Sequence, residues 1–240
     1  ELERALTRLY AGQSVRVQGS GRTDAGVHAL GQVAHCRLPR RPRIPVSELV
    51  RILNGMLPEQ IRVREASSAP SGFHARFGAV GKAYAYVIHR GGPDPFAGRW
   101  SWPVPDCRDL AAMRRAARGL LGEHDFSTFA SAREEGPRGR VRTIQRIAVA
   151  VRGERLILTF IGDGFLYKMV RTLTATLVAV GRGRLSPTAV AGMLAARDRA
   201  VAPAPAPARG LFLIRVFYDA TELAAFRPAY PAGQIFPFGR

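Results

Sequence analysis

Val15-Arg16-Val17-Gln18-Gly19-Ser20-Gly21-Arg22-Thr23-Asp24-Ala25-Gly26-Val27-His28 is the stretch on which the fold turns. Val15 to Gln18 has the alternation of a short strand, and a glycine-rich turn leads directly out of it. Glycine-rich turns after a strand most often cradle phosphate, which would make the chain a nucleotide-binding protein. A dinucleotide fingerprint G-x-G-x-x-G begun at Gly19 needs glycine three residues after Gly21. That residue is Asp24, whose carboxylate would repel a pyrophosphate. A P-loop needs Lys and then Ser or Thr after Gly26, where the chain has Val27 and His28. Both nucleotide readings fail at the residue that would do the chemistry. What remains is an acidic side chain on a tight loop between Arg22 and His28. It either caps a turn, for which Asp is well suited, or it reacts.

Outward from this loop the periodicities alternate. Glu1 to Tyr10 reads as an amphipathic helix ending near Gly12, and Gly31 to Leu38 as a strand. A Pro-Arg connection, Pro39 to Pro45, leads to a helix capped by Ser47 with Leu49, Ile52, Leu53 and Leu57 on one face. Strands are predicted at Ile61 to Ala66 and Lys82 to His89, and Gly91 to Pro105 has the composition of a domain junction. Beyond it, Asp106 is expected to cap a helix carrying Leu110, Met113, Ala117 and Leu120. Two strands, Thr143 to Val151 and Leu156 to Ile161, precede a helix over Phe165 to Val180 with Phe165, Met169, Leu173 and Leu177 in one stripe. Ser186 and Pro187 open a shorter helix, Val201 to Ala208 reads as a flexible or polyproline-like linker, and Leu211 to Phe217 as a last strand. The order predicts an α+β protein in two halves, residues 1–104 and 105–240, each a small sheet with helices on one face.

Charge narrows the function. Thirty-six Lys and Arg face 18 Asp and Glu, a formal +18. That excess costs self-repulsion in the compact state, which a polyanion relieves, and nucleic acid is the polyanion that fits. Arg37, Arg40, Arg41 and Arg43, together with the run Arg133 to Arg142, form basic stretches that serve either as an RNA-contacting rim or as a solvated face. Cys36 and Cys107 stand far apart without C-x-x-C spacing, which argues against a disulfide framework or a thiolate zinc site and for a reduced, cytoplasmic setting. No segment reaches the ~18 consecutive apolar residues of a membrane span. Neither helix-turn-helix nor zinc-finger spacing is present, which disfavours a DNA-binding role.

The unbroken string Gly21-Arg22-Thr23-Asp24-Ala25-Gly26-Val27-His28 resembles the G-R-T-D-A-G-V-H signature of the TruA family of tRNA pseudouridine synthases. Other segments are similar to that family in the same order: Asn54-Gly55-Met56-Leu57-Pro58, Phe73-His74-Ala75-Arg76-Phe77 and Lys82-Ala83-Tyr84-Ala85-Tyr86. His124-Asp125-Phe126, Gly164-Phe165-Leu166 through Met169-Val170-Arg171, and Gly210-Leu211-Phe212-Leu213 continue it. Members ordinarily open with a strand and Y-D-G-T and G-W-Q segments ahead of the first helix. This sequence starts at the helix, so its first sheet is expected to be one strand short.

The resemblance implies two RRM-like halves whose antiparallel sheets join into one extended mixed sheet, with a basic cleft between them, and a homodimer. It implies isomerisation of uridine on the 3′ side of the tRNA anticodon stem-loop, with no cofactor and no metal. Asp24, the one acidic residue of the signature, becomes the catalytic carboxylate. Arg22 is carried over as the side chain filling the space left by a flipped base. Tyr84 is expected to stack on uracil or shuttle a proton, with core packing as the plainer reading for both Tyr84 and Tyr86. Arg171 is expected to pair with Asp24, or else to touch phosphate. His28 assists or merely holds the loop, and His74 and Arg76 help to bind RNA. A non-catalytic RNA-binding protein, with aromatic strands stacking bases, is the rival reading.

Overall fold

The computed structural model of the protein describes residues 1–92, 94–131 and 139–228. In chain order the elements are α1 (Leu2–Leu9), β1 (Val17–Gly19), β2 (His28–Ala29), β3 (Ala34–Cys36), α2 (Val46–Met56), β4 (Gly81–His89) and β5 (Trp102–Pro103). There follow α3 (Leu110–Arg118), β6 (Gly122–Asp125), β7 (Val141–Arg152), β8 (Arg155–Gly162), α4 (Met169–Gly181), α5 (Ala189–Ala196), β9 (Leu211–Phe217) and α6 (Ala220–Ala225). They group into two compact units. One comprises Glu1–Arg22 and Val33–Gly78; the other comprises Thr23–Gln32 and the chain from Ala79 onward.

In the first unit β1 and β3 pair antiparallel, Val17 opposite Cys36. Leu6 and Tyr10 of the α1 region meet Leu49 and Leu53 of α2 and Val15 in a small core. Two expectations are corrected here. Ser47 does not cap α2: the helix begins at Val46, flanked by Pro45, and Ser47 lies inside it. Ile61 to Ala66 does not form a strand. The Asn54 side chain does what a neighbouring strand would: its Nδ2–H donates to the Val63 carbonyl and its Oδ1 accepts from the Val63 N–H, both at 2.8 Å. With both backbone groups of Val63 satisfied by one amide, this extended segment needs no ladder partner.

The second unit holds a seven-stranded mixed sheet in the order β2-β9-β4-β8-β7-β6, with β5 beside β4. Most pairs are antiparallel; β2 with β9 and β4 with β5 are parallel. The α+β class read from the sequence therefore holds. β4 lies between β8 and β9 and is covered on both faces. Tyr84, Tyr86 and Ile88 face the large core with α3 and α4, while Ala85 and Val87 face Ile157 and Phe212.

α4 is buried on nearly every side, which its composition permits: Met169, Leu173 and Leu177 are fully enclosed. Each such side chain contributes about 1.5–3 kcal/mol by leaving water. Its buried threonines return their hydroxyls to the helix, Thr174 to the Val170 carbonyl at 2.8 Å and Thr176 to that of Thr172 at 3.0 Å. The expected start at Phe165 is four residues early, because Lys168 adopts a left-handed φ of 61° that no helix continues through. Asp106 is not the cap of α3. Asp109 is, accepting from the Ala112 N–H at 2.7 Å, and Asp106 instead receives Arg182 Nε at 2.7 Å. α5 begins at Ala189 with Thr188 in the cap position, two residues later than Ser186 and Pro187 suggested, although Ser186 Oγ does accept from the Ala189 N–H at 3.1 Å.

Of the two readings of the Pro-Ala stretch, the polyproline-like one fits, with Ala202 at φ −95°, ψ 147° and Pro207 at φ −52°, ψ 142°, and the flexible one does not. The stretch is an ordered strap, with Ala206 only 2% exposed. Its carbonyls are engaged as well: Ala202 and Pro203 accept from Arg199 at 2.8 and 3.0 Å, and Pro207 accepts from the Tyr86 hydroxyl at 2.7 Å.

Candidate active site

Asp24 opens a β-turn. The Val27 N–H donates to the Asp24 carbonyl at 3.0 Å, and Gly26, at the third position, has φ +81°, which a side chain would resist. The turn is closed by backbone alone, so the carboxylate is free for another task. Strand β2 fixes the loop to the sheet by setting His28 opposite Phe212 and Ala29 opposite Leu213 of β9. Leu30 N–H adds a bond to the Leu213 carbonyl at 2.8 Å. Gly31 completes the seam: a Cβ there would stand 2.3 Å from the Ile214 carbonyl oxygen, so only glycine lets the two backbones approach.

The same part of β9 carries a bulge. Ala83 of β4 faces Arg215, Tyr84 faces Leu213, and Ile214 is left over. The ladder therefore bends beside Tyr84. The Tyr84 ring meets Phe165 edge-on, centroids 5.4 Å apart at 87°. Burial, and after it the negative charge of Asp24, push the Tyr84 hydroxyl from 10.0 up to about 12. At neutral pH it is a protonated donor close to the carboxylate.

Arg171 supplies the opposite charge from the first turn of α4. A cation there faces the positive end of the helix dipole, so a nearby carboxylate offsets an unfavourable placement. Its Nη1 donates to Asp24 Oδ2 at 2.5 Å and its Nε to the Ala206 carbonyl at 2.7 Å. The Arg171 carbonyl in turn accepts from the Ala206 N–H at 3.1 Å. The two side chains are 15% and 21% exposed, partly desolvated yet reachable from solvent. Among the described residues Asp24 Oδ1 has no hydrogen-bond partner, which leaves one carboxylate oxygen for a substrate atom.

The other residues singled out from the sequence are disposed differently. His28 is packed between Trp100 and Phe212, with ring centroids 4.6 and 4.8 Å away. Burial lowers its pKa below 6.5, against a hydrogen bond to the Arg209 backbone that raises it and the Arg99 charge that lowers it further. A neutral, stacked imidazole of this kind holds the loop. Arg22, exposed, belongs to the first unit, as do His74 and Arg76. There His74 Nδ1 accepts from the N–H groups of Arg76 and Phe77, both at 3.1 Å. The His74 ring lies 4.4 Å from Phe77 and 4.7 Å from His35, and the Arg76 guanidinium lies 5.7 Å from the Phe77 centroid. Arg37, Arg40, Arg41 and Arg43 are exposed in that unit. Of the run Arg133 to Arg142, residues 133–138 lie outside the described residues.

The structure thus brings together Asp24, Arg171 and Tyr84. Sequence reasoning missed Phe165 as the wall behind Tyr84 and Ala206 as the second anchor of Arg171. The signal for Ala206 is faint: between Pro205 and Pro207 it is the residue with an N–H to give.

The arrangement, a half-buried carboxylate with one free oxygen, a fixed guanidinium and a protonated phenol, suits attack on an electron-poor carbon with proton transfer nearby. Comparison with known proteins shows the family. The sequence family described as tRNA pseudouridine synthase matches residues 1–78 and 116–219. The chain is 43% identical over 219 residues to tRNA pseudouridine synthase A of Anoxybacillus flavithermus, covering 91% of this chain and 88% of that one. It is 44% identical over 222 residues to the protein of that name from Listeria innocua, with the same coverage. The Bacillus licheniformis protein of that name is 42% identical over 221 residues.

Proposed function

We propose, for a chain that belongs to the tRNA pseudouridine synthase family and is an isomerase acting on tRNA uridine, that its targets lie on the 3′ side of the anticodon stem-loop and that Asp24 is the nucleophile. The observation that carries the assignment of Asp24 is its contact with Arg171: a carboxylate oriented by one oxygen, with the other unpartnered among the described residues, next to the Tyr84 phenol. In the reaction the N1–C1′ bond of uridine breaks, the base turns, and a C5–C1′ bond forms. The proton lost from C5 is balanced by one gained at N1, so substrate and product are isomers. Uracil is a poor leaving group, and a carboxylate that adds covalently divides the step in two. Arg171 orients Asp24 and stabilises charge. Tyr84 stacks on the base and carries the proton.

A target stacked in a stem has to be extruded, at a cost of a few kcal/mol. Arg22, two residues before Asp24, is proposed to occupy the space the base leaves. His74, Arg76 and the exposed arginines of the first unit are proposed to hold the tRNA backbone, in keeping with the +18 charge. A homodimer in the cytoplasm completes the reading. Residues 1–104 and 105–240 are proposed as the two sequence halves that supply the reactive loop and Arg171 respectively, both of these groups lying in the compact unit of Thr23–Gln32 and the chain from Ala79 onward. In the described residues no helix is long and apolar enough to cross a membrane.

The test is pseudouridine formation on unmodified tRNA transcripts, comparing wild type with Asp24→Asn. Wild type is expected to convert uridines of the anticodon arm. The variant, which loses a negative charge with almost no change of shape, is expected to bind tRNA as tightly or slightly more tightly and to form no product. Turnover by the variant would remove Asp24 from the chemistry. Tight binding with no product from wild type would favour the non-catalytic RNA-binding reading.

A further inference from the structure

We propose that Tyr86 is a positioning residue for the reaction: its hydroxyl anchors the Pro205–Ala208 strap, and the strap's Ala206 carbonyl fixes the Arg171 guanidinium against Asp24. The inference rests on the reading of Asp24 as the reacting carboxylate. It departs from the expectation that the second tyrosine of β4 is core alone.

The path is continuous in hydrogen bonds and one stretch of backbone. Tyr86 Oη donates to the Pro207 carbonyl at 2.7 Å. One residue back, the Ala206 carbonyl accepts Arg171 Nε at 2.7 Å, and the Ala206 N–H donates to the Arg171 carbonyl at 3.1 Å. From the same guanidinium Nη1 reaches Asp24 at 2.5 Å. Tyr86 is completely buried and packs edge-on against Trp102, centroids 6.3 Å apart. Phenylalanine would meet those packing needs without the cost of burying a hydroxyl, so the hydroxyl has to be accounted for by its bond to the strap. Burial also pushes its pKa well above 10.0, which keeps it a donor.

Two glycines serve the same arrangement. A Cβ on Gly210 would stand 2.7 Å from Tyr86 Cε1 and Cζ, so glycine there makes room for the phenol under the strap. A Cβ on Gly26, in the turn that starts at Asp24, would sit 3.4 Å from Ala208 Cβ. The strap therefore bonds Arg171 directly through Ala206 and passes close to the Asp24 turn at Ala208, where only a side chain added to Gly26 would bring the two into contact. Prolines at 203, 205 and 207 hold φ near its extended value, so movement at Pro207 is passed on to Ala206 rather than absorbed between them.

The experiment is Tyr86→Phe in the full chain, read in two ways. The first is hydrogen exchange at the Arg171 Nε–H by NMR, which needs no activity. We expect it to exchange about tenfold faster in the variant, the ratio that corresponds to about 1.4 kcal/mol of lost restraint. Unchanged exchange would overturn the proposal, whatever the enzyme does. The second is turnover. We expect kcat at saturating tRNA to fall about tenfold with KM within about twofold, and we expect Tyr86→Phe to have no further effect in an Arg171→Ala background. A lowered melting temperature with unchanged kcat, or effects that multiply independently, would reduce Tyr86 to a packing residue. Pro207→Gly, which keeps the carbonyl and loosens the strap, gives the same readouts should Tyr86→Phe fold poorly. Faster exchange in a protein whose wild type forms no pseudouridine would refute the functional reading and leave the anchoring intact.

Discussion

Arg171 Nη1 lies 2.5 Å from Asp24 Oδ2, a contact between residues 147 apart in sequence. Neither reaches the other through its own element alone. Asp24 is held by a turn and a two-residue parallel strand, and Arg171 by the first turn of a buried helix and a proline strap. Charge is thus fixed beside one carboxylate oxygen while the second stays available.

Arg171→Ala is expected to lower kcat at saturating tRNA about 100-fold, the usual scale for removing one fixed electrostatic partner. Arg171→Lys should do nearly as badly, because an ammonium cannot hold Asp24 and the Ala206 carbonyl with two fixed N–H groups at once. Single-turnover kinetics measure both. Unchanged turnover of Arg171→Ala would show that the pair is structural only.

Tyr84→Phe keeps the ring against Phe165 and removes the hydroxyl. Affinity for tRNA is expected to stay within about twofold, while turnover falls by about 100-fold or more if the phenol moves the proton. A variant that turns over normally would confine Tyr84 to stacking. The raised pKa has a separate consequence. With the phenol at about 12 in the folded state against 10.0 unfolded, its contribution is fully present below pH 10 and is lost as pH rises toward 12. Denaturant melts across that window should show a shallower alkaline decline in Tyr84→Phe. Tyr10, Tyr86 and Tyr218, also raised, keep part of the slope.

For His28 the sign is opposite. Burial lowers its pKa below 6.5, so the unfolded chain takes up the proton first as the solution is acidified. Its contribution is present above pH 6.5 and is lost as pH falls through the lowered value. His28→Gln is expected to cost about 1–2 kcal/mol near pH 7.5, through the lost stacking and the bond to the Arg209 backbone, and to flatten the acid limb. Thermal melts between about pH 5 and 7.5 measure both. An acid limb as steep as wild type would relocate that dependence to another group.

Gly31→Ala and Gly55→Ala form a matched pair. At Gly31 a methyl group would stand 2.3 Å from the Ile214 carbonyl, and the seam that carries the Asp24 loop would have to open. A loss of about 2 kcal/mol or more is expected, together with reduced turnover. At Gly55, near the end of α2, nothing lies within 4 Å, and alanine is expected to add up to about 1 kcal/mol. Equal effects in urea melts would contradict the close approach at Gly31.

Legibility followed the range of the interactions. β9 forms over Leu211–Phe217 as its apolar run predicts, and β4 and β8 fall within a residue of their expected ends, because a strand buried on both faces announces itself. The Ile61–Ala66 strand failed because a single side-chain amide, Asn54, satisfied the backbone that alternation assigned to a ladder. The Asp106 cap failed because two aspartates three residues apart compete for one helix start, and Asp109 has the geometry. At the site, the signature drew attention to Asp24 through residues adjacent in sequence. Ala206 and Tyr86 were hidden because their roles come from contacts that no local pattern records: the Tyr86 bond to Pro207 spans 121 residues.

The alternation of the strap has a consequence for its length. Each proline lacks an amide hydrogen, so a slip by one residue would set a prolyl nitrogen against the Arg171 carbonyl and end that bond. A slip by two would restore an alanine but drag the chain by roughly 6 Å at the extended rise per residue. A segment whose composition looks like filler is therefore indexed, like a key cut for one position of its lock, and the chain has little freedom to lengthen or shorten it one residue at a time.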